Sequence, residues 1–138
     1  MSNFVNCCQV DEENRRVSER LKRAEKSVDQ GNFKDTWKYI RFALERLYLV
    51  CCIKYGPPDF NPGSWKDMTA EYMWAGDSRV KAEDIFTKLA PDKTSRLKEI
   101  LKMTVSGVHD KSPHSETDIS NAIIGLRGLP NPLRIGAG

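Results

Sequence analysis

Histidine is scarce in this chain of 138 residues, with two in all, His109 and His114. Their five-residue spacing through Pro113, with Asp110 between them, matches no recognised ligand pattern, so neither a metal nor a cofactor is expected. Cysteine is also sparse: four residues, in the adjacent pairs Cys7-Cys8 and Cys51-Cys52. Side chains of sequence neighbours diverge, so neither pair readily bonds to itself or grips one metal, and Cys51 and Cys52 read as small core residues. No apolar run reaches the roughly 18 residues of a membrane span; the longest is cut by Arg46 and Lys54, and no membrane contact is expected. The start, MSNFVNCCQVDEENRR, lacks the basic beginning and apolar core of a signal peptide, which points to the cytoplasm. The net charge of +3 falls far short of a dedicated nucleic-acid binder and leaves RNA as a partner only through a local patch. No segment alternates as strands do, no Asn-Gly hairpin lies between β-branched runs, and there is no internal repeat or heptad series.

What is present reads as helix. At 39% hydrophobic and 30% charged, the chain suits one domain. It is long enough to bury roughly two-thirds of its unfolded surface without a disulfide or metal. Its organising stretch is Asp35 to Tyr55, where Trp37, Ile40, Leu44, Leu47, Tyr48 and Cys51 recur at helical intervals. Ala43, Val50 and Cys52 widen that face until little but Lys38, Arg41, Glu45 and Arg46 remains for water, which predicts the central helix of a bundle.

Ahead of it, residues 1–10 read as a flexible lead-in. Asp11 then caps a helix whose narrow stripe is Val17, Leu21, Ala24 and Val28, and which stops at Gly31. Gly56-Pro57-Pro58 and Asn61-Pro62-Gly63 end the central helix and enforce a loop. Ser64 and Asp67 form a capping-box-like start for a short helix that Gly76 stops. A further helix is expected from Asp77 or Ser78 to before Pro91, another from Asp92 or Thr94, breaking near Ser106-Gly107 or soon after, and a last one from Ser115. The expectation is an all-α, compact bundle of five or six helices over 11–128, with an irregular tail at 129–138.

Two constellations carry candidate chemistry. The polar loop Val108 to Ser115 holds both histidines; such a loop between two apolar helices is where a scaffold can present a proton-transfer group. Asp110 could fix the tautomer of His109. The aromatic segment Trp65, Tyr72 and Trp74 is the candidate contact surface, since exposed Trp and Tyr anchor interfaces. The wider aromatic set, with Trp37 and Tyr48, reads as core or interface and not as a base-stacking platform, which wants interleaved cations. Arg41 and Glu45, four apart, read as an i,i+4 ion pair.

Ala24-Glu25 through Gly31 to the Arg41-x-x-x-Glu45 step, together with Leu101 to Leu126, resembles the HEPN superfamily of small helical bundles in prokaryotic defence and toxin systems. The resemblance implies a homodimer and a metal-free site around the histidine. Active members carry an arginine a turn or two ahead of that histidine. Here the position holds Lys102, with six residues between it and His109. Lysine supplies charge but no planar, bidentate grip on phosphate. The resemblance therefore implies first a helical interaction and dimerisation module with a protein partner, in phage defence or its inhibition. The alternative is a metal-independent endoribonuclease acting on RNA with His109, assisted by Lys102 and Asp110.

Overall fold

In the computed structural model, which describes residues 2–65, 67–108 and 116–127, six α-helices follow one another and no strand occurs among the described residues. The helices are α1 (Ser2–Asp29), α2 (Phe33–Tyr55), α3 (Ala70–Ala75), α4 (Ala82–Leu89), α5 (Pro91–Val108) and α6 (Glu116–Arg127), with one turn of 3-10 helix at Pro62–Trp65. The bundle is organised on α2, which touches all five other helices. Trp37, Ile40, Leu44 and Tyr48 are fully buried there, and Cys51 and Cys52 are buried and unbonded.

The α1–α2 hairpin is closed by local chemistry. Gly31 takes φ +76°, a conformation that a Cβ would oppose. Its N–H donates to the Val28 carbonyl at 2.9 Å, while that of Asn32 donates to Ser27 at 2.9 Å. These two bonds close a Schellman motif. Asn32 then serves the next helix, its Oδ1 accepting from the Asp35 N–H and its carbonyl accepting from the Thr36 hydroxyl. Val17, Leu21 and Ala24 of α1 are buried in the core they share with α2.

Several boundaries differ from expectation. The lead-in is helical: α1 begins at Ser2, not at Asp11. No Gly or Pro lies between them to stop the backbone hydrogen bonding of the helix. The short third helix starts at Ala70, where the Thr69 hydroxyl accepts from the Tyr72 N–H, and the Ser64 region instead winds a single 3-10 turn. The fourth begins at Ala82, after a turn in which the Ser78 hydroxyl donates to the Val80 carbonyl. The fifth begins at Pro91, whose fixed φ suits a first helical position and whose missing N–H costs nothing there.

An aromatic cluster joins α2, α3 and α4. Tyr48 lies 5.2 Å from Trp74 and 6.1 Å from Phe86, ring centre to ring centre, and Trp74 lies 5.8 Å from Phe86. Leu97 and Ile100 from α5 and Ile119 from α6 complete the same core.

Candidate functional site

His109, Asp110 and His114 lie outside the described residues. Lys102 is exposed on α5, on the side away from the buried row Leu97, Ile100, Leu101 and Thr104. Of the aromatic contact candidates, Trp65 and Trp74 are only 4% and 3% exposed. Trp65 packs perpendicular to Phe60 at 5.1 Å, and Trp74 belongs to the Tyr48–Phe86 cluster. A short helix must bury its largest apolar rings to hold its place, which leaves Tyr72, 38% exposed, as the one of the three at the surface. Among the described residues no three His, Cys, Asp or Glu side chains come together to hold a metal ion.

A polar cluster of a different kind sits between α2 and α3. Arg41, its side chain 17% exposed, donates from both terminal nitrogens to the two carboxylate oxygens of Glu71, at 2.7 and 2.8 Å. Glu45 stands 3.8 Å from the Arg41 Nε. The helical pair read from the sequence is present, but the closer partner comes from 30 residues further on. One signal was available: Glu71 is the one charged residue in the apolar run AEYMWA, and a charge on such a helix needs a partner.

The two carboxyls are shifted in opposite directions. Burial pushes the Glu45 carboxyl above its ordinary value, outweighing Arg41, Arg46 and a hydrogen bond from the Ala70 N–H. At Glu71 burial also acts upward, yet hydrogen bonds from Arg41, its own N–H and Thr69 prevail and the carboxyl is lowered. The Tyr48 hydroxyl and the Trp74 indole N–H are buried with no hydrogen-bond partner, and the Tyr48 phenol is driven up by burial and by the charges of Glu71 and Glu45. The cluster locks α3 onto α2.

The second feature is a groove of about 390 Å³ between the end of α1 and α6. Its apolar wall is Val28, Ile123 and Ile124. Ile119, Ala122, Ile123 and Leu126 already fill the inner face of α6, and Ile124 stands outside it at 67% exposure. The rim carries the carboxylates of Glu25, Asp29 and Glu116, with Arg127 bonded to Glu25 at 2.9 Å. The sequence carried a signal for this surface: at 100° per residue, a face made by Ile119, Ala122, Ile123 and Leu126 leaves Ile124 on the far side of α6.

Comparison of the chain with models of protein families, with curated proteins and with solved structures finds no match.

Proposed function

We propose that the chain is a HEPN-like helical interaction module that pairs with a second copy and works through a protein partner, in phage defence or its inhibition. The observation that supports an interaction surface is Ile124, a large apolar side chain 67% in water beside a groove with further apolar wall. A lone exposed isoleucine needs no explanation; one continuous with an apolar groove and rimmed by charge is the anatomy of a contact site. The test is light scattering after size exclusion at tens of micromolar, with wild type beside Ile124→Lys. A wild-type dimer supports self-pairing, and a strict monomer removes it. A dimer that Ile124→Lys dissociates assigns the pairing to α6, and one that survives assigns it elsewhere.

The exposed ammonium of Lys102, on the last helix before His109, favours a second reading, the metal-independent endoribonuclease. In that chemistry a 2′-hydroxyl attacks the adjacent phosphate as the bond from phosphorus to the 5′-oxygen breaks; His109 of one copy takes the hydroxyl proton, His109 of the second copy protonates the leaving 5′-oxygen, and Lys102 balances the charge gathering on phosphorus. Labelled tRNA and mRNA incubated in EDTA with wild type, His109→Ala and Lys102→Ala decide it. Cleavage by wild type that His109→Ala loses supports the reading; cleavage that persists in His109→Ala, or none by wild type, removes it.

A further inference from the structure

We infer that the α1–α6 groove receives a basic amphipathic segment of a partner protein, one that lays an apolar ridge on Ile124 and flanks it with lysine or arginine. This rests on the interaction-module reading and adds the chemistry of the partner. The argument is charge. Glu25, Asp29 and Glu116 against Arg127 leave the groove net acidic, although the chain as a whole carries +3. Arg127 is engaged with Glu25, so the exposed carboxylates of Asp29 and Glu116 are the groove's charges left over from that pair.

A second copy seated by two-fold symmetry would set this net-acidic surface against itself. Nucleic acid and anionic lipid are repelled for the same reason. A cationic helix is not. The 12 residues of α6 run for roughly 18 Å, enough to lie along about three turns of a partner helix with anchors at i, i+3 or i+4, and i+7.

The probe is a synthetic helical peptide of leucine and lysine, with leucines at those anchor positions, beside its leucine–glutamate counterpart. Each is titrated into ¹⁵N-labelled full-length protein. The expected result is lysine-peptide shifts confined to residues 25–29 and 116–127. Affinity should fall at least tenfold in Asp29→Lys/Glu116→Lys, and again in Ile124→Lys, while the glutamate peptide does not bind. Both charged positions are exposed, so the variants should keep the wild-type melting curve. Equal binding by the charge-reversed variant, or by the glutamate peptide, overturns the basic partner. In either case an Ile124→Lys loss keeps the groove as a contact surface. Shifts elsewhere together with an inert Ile124→Lys overturn the surface itself. No binding by either peptide overturns the basic-segment inference, leaving the dimer to be judged by light scattering.

Discussion

Substituting the two glutamates beside Arg41 should have effects of opposite sign. The fold favours ionisation of Glu71 and opposes that of Glu45. Glu71→Gln replaces a bidentate ionic contact at 2.7 and 2.8 Å by one neutral oxygen. Hydrogen bonds to charged groups are worth about 1.5–3 kcal/mol, and the Glu71 side chain is 42% exposed, so the lower part of that range applies. A loss of about 1–2 kcal/mol, or roughly 3–7 °C in Tm, is expected. Glu45→Gln should be neutral or slightly stabilising, because it removes a buried charge while its amide oxygen still accepts from Ala70. Arg41→Ala should cost most, about 3 kcal/mol, since it leaves two partly buried carboxylates facing each other.

The pH dependence separates the two further. Glu71, lowered, contributes stability present above 4.5 and lost as pH falls through its folded value. Glu45, raised, contributes stability present below 4.5 and lost as pH rises through its folded value. Urea titrations between pH 3 and 7 should therefore show a shallower acid-side loss in Glu71→Gln and a flatter decline above 4.5 in Glu45→Gln. The acid loss will not vanish, because Glu12 and Asp59 are also lowered by their arginine partners. Glu45→Gln costing as much as Glu71→Gln would refute the opposite shifts.

Tyr48→Phe should raise stability by up to about 1 kcal/mol in urea unfolding, because the deleted hydroxyl is buried without a partner; a loss would mean that the hydroxyl is bonded. Burial pushes the Cys52 thiol up to about 12 and the Cys51 thiol higher still. In a Cys7→Ser/Cys8→Ser background, dithionitrobenzoate at pH 8 should titrate no thiol until urea unfolds the chain. Gly31→Ala should cost about 1–2 kcal/mol, all of it conformational, since φ is +76° and nothing lies within 4 Å of the added carbon; Gly31→Asn should recover part, and equal Tm values would argue against the left-handed turn.

The fold was legible wherever one signal had no competitor. The stripe from Trp37 to Cys51 can only be a helix buried on several sides, and α2 touches every other helix. Gly31 ends its helix through a left-handed turn, and Gly56 and Gly76 are extended caps whose N–H groups close the last turn. Starts were less legible. Ser64 and Thr69 are both good caps by type, and the helix uses Thr69. The start of α1 was misplaced because Asp11, a good cap by type, lies inside a run that nothing breaks.

At the site, spacing revealed Arg41 and Glu45 but could not reveal Glu71, since a contact across 30 residues follows from tertiary packing and not from period. The same limit applies to the burial of the aromatic rings. Large aromatics are the residues that both cores and contact surfaces want, so Trp65 and Trp74 could not be sorted by type. Ile124 could have been. A helix of α6's length has one inner face, that face is filled by Ile119, Ala122, Ile123 and Leu126, and the next isoleucine must face water. Searching for the apolar residue left over once a stripe is full is therefore a better route to an exposed apolar side chain than searching for the largest ring.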